Sequence, residues 1–456
     1  MLLRTVISSF FKTLVDKLID LSHFLNMPLL TALAWRLSLK EMKGISHKGP
    51  AAKKLIVLAK SGGIDDLGAA FSSTPAKFKI YILPRSVVKR TFLYYLKGRV
   101  TDGQYLTNDR TDKETERLKL EYRAYLYKVL KFFQSLFGCD AILQFNFIYY
   151  AERELAAASS ELGITFLCSY KECLRSSAFW QETEDWYKKS IGVFQGWKIA
   201  VYNEQARESI IRSGVAAEWQ VETVGCARLD YSHDLRNTDT TDTPRRVVLF
   251  YLIQDTAGLP YFDGSFRKEG ENIEERESGP LLSWRSLAQR TNAALLKFAR
   301  DNPSVDLIFK GKTGFSASQR KRLGESLPEN IAVLSDGTGN HLLKQASVVI
   351  GWNTTAVLEA IASGLPTIIP MLLSDDDSFL KPYILDLNGA VIQVTSPEEL
   401  EQALIHAVKN RKISRELSEK HKQVLKKYLG NDDGRSGERL RKFIEEAVYR
   451  ESPNAI

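Results

Sequence analysis

The chain has 456 residues, 44% of them hydrophobic and 26% charged, and its 63 basic and 55 acidic residues leave a net charge of +8. That length exceeds what one core fills, so two domains of roughly 200 residues each are predicted. The mild basic excess suits anionic substrates or an anionic membrane surface, and the dense basic runs and aromatic platforms of a nucleic-acid binder are missing.

The four cysteines, at 139, 168, 173 and 226, form no C-x-x-C pair and have no His at zinc spacing, which argues against a metal cluster and fits a reducing cytoplasm. No run of 18 uncharged apolar residues occurs and the N-terminus lacks the pattern of a secretory signal, so the protein is expected neither to span a membrane nor to be exported. Residues 1–46 read as helices. Within residues 1–22, apolar pairs such as Val6/Ile7, Phe10/Phe11 and Leu14/Val15 alternate with Arg4, Lys12, Asp16 and Lys17, the pattern of an amphipathic helix. Such a helix either packs on its own domain or lies on the inner face of the cytoplasmic membrane with Phe10 and Phe11 buried.

Residues 47–240 read as one α/β domain. KKLIVLAK is a strand that runs into the Gly62-Gly63 turn and a helix; KFKIYILP is a strand; residues 112–137 form a long charged helix; DAILQFNFIYY is a strand followed by the helix AERELAAASSELG, closed by Gly163. ITFLCSY is the next strand, and KIAVYNEQARESIIRSGV repeats strand, polar turn and helix, ended by Gly214. WQVETVGCARLD adds a short strand and turn. The Thr-, Asp- and Pro-rich stretch 237–246 reads as a linker, and VVLFYLIQ opens a second domain, 241–395. There, residues 258–280 read as a loop, followed by a helix through Arg300 and the strand VDLIFKGK. Residues 396–456 read as helices able to cross back onto the first domain.

The segment SVVIGWNTTAVLEAIASGLPTIIP, Ser347 to Pro370, carries the most chemistry. Gly351 ends a strand where backbone can approach a ligand closely, and Asn353, Thr354 and Thr355 fall where a helix begins. Gly364 and Pro366 stop that helix. Free N–H groups and the positive dipole end at such a start attract phosphate, and Glu359, one turn behind Thr355, is at the right reach for ribose hydroxyls. The same residues also fit a plainly capped helix with a solvated Glu.

Gly351, Asn353, Thr354, Thr355, Glu359, Ala360, Gly364, Pro366 and Ile368 together carry a pattern that resembles the donor-binding domain of GT-B glycosyltransferases of the bacterial surface-carbohydrate and capsule type. The segment ending in Gly225-x-x-Arg228-x-Asp230 and the strand DLIFKGKTG are similar to further parts of these enzymes, although Gly311 and Lys312 stand where capsule sialic-acid and Kdo transferases often carry His-Pro. The resemblance implies two Rossmann-like domains facing across a cleft. A nucleotide sugar would lie on the second domain, its phosphate at Asn353 to Thr355 and its ribose at Glu359, with the glycan or lipid-linked acceptor facing it from the first. CMP, UDP and GDP donors stay open, and no separate cofactor is implied. Lys310 and Lys312, after VDLIF, would neutralise the leaving phosphate, and with no D-x-D motif no divalent ion is required.

The base that deprotonates the acceptor is sought among first-domain acids: Glu172 first, since similar capsule enzymes carry a Lys-Glu pair after the matching strand, then Asp65 and Asp66, then Glu204. Each also fits a helix-starting acid. His341 and the Asp336 turn would lie near the nucleotide base. The alternatives are a nucleotide-sugar 2-epimerase, a polyol-phosphate transferase of the same fold, and a non-catalytic nucleotide-sugar-binding scaffold.

Overall fold

A computed structural model describes residues 2–45, 53–60, 62–96, 105, 112–237, 246–252, 280–311, 323, 326–335, 339–410 and 413–450. Lys312, the Asp336 turn, and most of the 237–246 linker and of the 258–280 loop lie outside them.

Among these residues the strands form two sheets. The first contains β1 (Lys40–Glu41), β2 (Lys54–Ala59), β3 (Lys79–Pro84), β4 (Ala141–Gln144), β5 (Thr165–Tyr170), β6 (Lys198–Val201) and β7 (Val221–Thr223), in the order β1-β3-β2-β4-β5-β6-β7. All neighbours are parallel except β1, which runs antiparallel along β3. Leu55 to Leu58 of β2 are all buried, as a central parallel strand covered on both faces requires. The second sheet contains β8 (Arg246–Tyr251), β9 (Val305–Lys310), β10 (Ile331–Leu334), β11 (Val348–Ile350), β12 (Thr367–Pro370) and β13 (Ile392–Val394), all parallel, in the order β10-β9-β8-β11-β12-β13.

Both sheets are doubly wound. Strand order reverses between β2 and β4 in the first and between β8 and β11 in the second, and the crevices at such reversals are where open α/β sheets bind ligands. DAILQFNFIYY, read as one strand, pairs only through Gln144. Beyond it Asn146 turns the chain by accepting from the Ile148 N–H at 2.8 Å, and the Phe145 ring fills the space beside Gly63, where a Cβ would lie 2.3 Å from it.

The N-terminal helix Pro28–Ser38 packs against Lys113–Leu136, and Leu2–Phe24 packs on Pro28–Ser38 and on Arg85–Leu96. That long helix starts at Asp112, which accepts from the Thr115 N–H, and buries Leu118, Tyr122, Tyr125, Val129 and Phe133 along one stripe. Ser22, Thr31 and the Tyr125 hydroxyl form a buried hydrogen-bonded trio at 2.7–2.9 Å. Leu2–Phe24 therefore buries Val15 and Ile19 on its own domain, yet Phe11, Leu14, Leu21 and Phe24 stay exposed, Phe24 at 86%. No described helix is long and apolar enough to cross a membrane.

At the other end, Pro397–Lys409 packs beneath the second sheet while Ser436–Tyr449 lies on the first domain, burying Leu440, Phe443 and Ile444 with Leu55, Val57 and Leu67. Asp230 fixes this return by accepting from the Ser436 and Gly437 N–H groups at 3.1 and 2.7 Å, a carboxylate at a helix N-terminus. The crossing is tight. Gly430 has φ +59°, and a Cβ there would sit 1.8 Å from the Tyr202 carbonyl oxygen.

Candidate active site in the interdomain cleft

Strand β11 ends at Gly351, where a Cβ would lie 2.9 Å from Val357 and 3.4 Å from Tyr251, so only glycine lets the chain turn this closely into the next helix. Helix Thr355–Ala362 begins with Thr354 as its cap, the hydroxyl accepting from the Ala356 N–H at 3.3 Å. Gly364 ends it at φ +72°. Asn353 is engaged otherwise than its place in the motif suggests. Its amide donates to the Tyr383 carbonyl at 2.7 Å and accepts from the Leu385 N–H at 3.0 Å, which ties down the strap whose Tyr383 hydroxyl reaches Glu182 of the first domain at 2.5 Å.

The Glu359 side chain is 12% exposed, it is held by Thr355 one turn back, and Arg228 of the first domain approaches its carboxylate at 3.8 Å. Burial pushes the Glu359 carboxyl up, against the pull of Arg228. The Tyr251 hydroxyl, at the end of β8, is buried without a hydrogen-bond partner among the described residues and borders Gly339, which also borders Glu359. An unpaired buried hydroxyl thus stands beside a mostly covered carboxylate at the β8/β11 reversal, where open α/β sheets bind ligands.

Arg228 is held from behind. Its Nη1 donates to Asp66 Oδ2 at 3.0 Å and to the Tyr202 hydroxyl at 2.8 Å; Tyr202 in turn donates to the same Asp66 oxygen at 2.5 Å, and the Arg228 N–H donates to Asp66 Oδ1 at 3.0 Å. Asp66 is 1% exposed. Enclosed and paired in this way, it is poorly suited to the role of base and well suited to bracing a cation.

The other sequence-picked residues separate. Lys310 is buried, its ammonium donating to the carbonyls of Gly311 at 2.9 Å and Ser335 at 3.0 Å, which pins the ends of β9 and β10. Glu204 starts its helix on an open depression of about 500 Å³ shared with Lys426, Lys427 and Arg439 of the returning C-terminal segment, and Glu359 does not line it. Asp65 is exposed on the first turn of Gly63–Ala70, near enough for its charge to raise the Glu359 carboxyl. Glu172 is exposed just past the carboxyl end of β5, 3.1 Å from the Lys171 ammonium.

The carboxyl edge of the first sheet supplies Asp66 and, after β7, Arg228; the carboxyl edge of the second supplies Glu359. The two edges face each other, and the last helix returns to the first domain. The chain has the GT-B fold. No family profile and no curated protein matches the sequence. Among solved structures the chain is similar to the wall teichoic acid polymerase TagF, at 9% identity over 97% of this chain and 98% of that one, with a TM-score of 0.47. It is also similar to UDP-GlcNAc 2-epimerases. The one from Neisseria meningitidis, bound to UDP-GlcNAc, is 11% identical over 87% of this chain and 99% of that one, with a TM-score of 0.45. The one from Methanocaldococcus jannaschii, in complex with UDP-GlcNAc and UDP, is 13% identical over 86% and 99%, with a TM-score of 0.43.

Arg228 is the site residue that sequence reasoning passed over. It stood in the Gly-x-x-Arg-x-Asp turn as a mark of fold, and its partner Asp66 is 162 residues away, beyond any local pattern.

Proposed function

We propose that the protein is a glycosyltransferase that moves a sugar from a nucleotide-activated donor to a surface-glycan acceptor. The observation that carries the reading is Arg228 facing Glu359 across the domain boundary, one helical turn from the Thr354–Thr355 helix start. In this reading the donor phosphate lies at that helix start, where N–H groups and dipole favour it, and the ribose hydroxyls take Glu359. Arg228 offers the phosphate the N–H groups that Asp66 and Tyr202 leave open. Glycosyl transfer leaves negative charge on the departing phosphate, so a guanidinium already fixed by Asp66 and Tyr202 stabilises the transition state with little reorganisation. Glu172 is the base that takes the acceptor proton, and Asp65 is the other exposed carboxylate on that edge.

A nucleotide-sugar 2-epimerase would use the same donor pocket, so the products decide between the two. A transferase consumes donor only when acceptor is supplied, whereas an epimerase inverts C2 of the donor alone. The acceptor's carrier would lie at the membrane surface, and the exposed row Phe11, Leu14, Leu21 and Phe24 supports peripheral contact there. Flotation of the protein with anionic vesicles, lost in a Phe11→Ser, Phe24→Ser double variant, is the expected outcome; unchanged flotation of that variant removes the membrane role.

The site itself is tested by thermal shift against CMP, CDP, UDP, GDP and dTDP, with Glu359→Gln alongside. A nucleotide at a hundredfold excess over Kd stabilises by about 2.7 kcal/mol, and the variant should bind it more weakly. No shift with any of the five overturns the donor site.

A further inference from the structure

A second charged cluster stands on the carboxyl edge of the first sheet, and the donor site does not use it. The chain leaves β2 at Lys60, β3 at Arg85, β4 through the turn ending at Tyr149, and β5 at Lys171 and Glu172, so one doubly wound edge brings these side chains together.

Arg85 is the centre. Its guanidinium carbon lies 3.7 Å over the Tyr149 ring, and its Nε and Nη2 are bonded to the carboxylate of Glu152, the second at 3.2 Å. Glu152, in the first turn of helix Tyr150–Glu161, is fully buried, so it braces the guanidinium from behind and offers nothing to solvent. Arg85 itself remains 21% exposed, and its Nη1 has no partner among the described residues. The Lys60 ammonium lies 6.0 Å from the same ring. Glu172 is close enough that its charge, after burial, helps push the Tyr149 phenol up to about 12.

As a purely structural ion pair, Arg85–Glu152 would gain little, because desolvating both charges offsets most of their attraction. As a receptor the arrangement is coherent. A guanidinium fixed in plane by a buried acid and an aromatic face keeps its outward N–H groups directed at one place, and such groups match the oxygens of a carboxylate or phosphate. Lys60 and Lys171 add positive charge, and Lys171 is paired at 3.1 Å with Glu172, the proposed base.

We propose that Arg85, Tyr149, Lys60 and Lys171 form an acceptor subsite for an anionic group, a carboxylate or a phosphate, carried by the glycan that receives the sugar. The inference rests on the glycosyltransferase reading. Holding that group at Arg85 would place a neighbouring acceptor hydroxyl at Glu172.

The test uses the full chain titrated with methyl glucuronide, inorganic phosphate and the neutral methyl glucoside, with binding followed by ligand-observed NMR. Wild type, Arg85→Met, Lys171→Gln and Arg228→Met are compared. The expected result is that one of the two anions binds at least tenfold more tightly than the glucoside, that Arg85→Met removes this preference and Lys171→Gln weakens it several-fold, and that Arg228→Met leaves the Arg85-dependent binding intact while removing any phosphate held at the donor site. Preference for glucuronide assigns a carboxylate acceptor, and preference for phosphate a phosphorylated one. Because Lys171 lies in the loop after β5 and its partner Glu172 is itself exposed, Lys171→Gln strands no buried charge and stays informative even if Arg85→Met, which strands Glu152, folds poorly. Equal binding of the glucoside, or anion binding indifferent to both Arg85 and Lys171, overturns the subsite. Nucleotide binding measured in parallel separates the two claims, since its loss in wild type counts against the donor site alone.

Discussion

The two sides of the cleft present charge in different ways. On the second domain the polar groups stand on a helix start, where Thr354 caps its own helix by accepting from the Ala356 N–H and Glu359, 12% exposed, lies one turn behind. On the first domain it comes from arginines, each held by a buried carboxylate: Arg228 by Asp66 and Arg85 by Glu152. The difference teaches that a carboxylate's burial, and not its place after a strand, separates brace from base. Asp65 and Asp66 are sequence neighbours, yet one is exposed and the other enclosed.

The sharpest way to break that contrast is to remove a brace. Asp66→Ala leaves the mostly covered Arg228 and the buried Tyr202 without their acceptor, and loss of one partner from a buried pair costs about 3–5 kcal/mol, less where the remaining charge can reach solvent; chemical denaturation should show a fall of about 2–4 kcal/mol, whereas Asp65→Ala should change stability by less than about 0.5 kcal/mol. Equal effects would erase the distinction between the two acids.

Next comes the distinction between exposed acids. With an acceptor in hand, Glu172→Gln should lower kcat by about 100-fold or more while the melting temperature holds, and Asp65→Asn should leave kcat within a few-fold. The reverse pattern would move the base to Asp65.

The smallest effect sharpens the reading of Glu152. Burial pushes its carboxyl up to about 7 against the opposing pull of Arg85, so between the ordinary carboxylate range and that value the folded state binds more protons than the unfolded chain. Stability from this group is therefore present at low pH and lost as pH rises through about 7. Glu152→Gln should be flatter than wild type across that window in denaturation measured from pH 4.5 to 8; identical slopes would mean that Arg85 holds Glu152 ionised throughout.

Much of this was legible in the sequence. The capped helix after Gly351, its stop at Gly364 and the alternation of strand and helix follow from local rules, and the structure shows both doubly wound sheets. What local rules could not reach is pairing across distance. Nothing near Asp66 announces Arg228, and nothing in AERELAAASSELG marks Glu152 as the partner of Arg85, 67 residues earlier. Short strands escaped for a related reason. Ile331–Leu334 and Ile392–Val394 are too brief for a periodic signal and form because β9 and β12 already offer an edge. Asn353 carried the right motif position but is engaged by a strap 30 residues ahead, a contact that only the fold supplies.

The decisive measurement is the affinity of the stabilising nucleotide for wild type and Arg228→Met by isothermal titration, with the matching nucleoside as an internal check on the pocket. A hydrogen bond to a charged group is worth about 1.5–3 kcal/mol, so Arg228→Met should weaken the nucleotide by roughly 10- to 150-fold and leave the nucleoside unchanged. Nucleotide affinity that survives the substitution would mean that the phosphate does not lie between the Thr354–Thr355 helix start and Arg228.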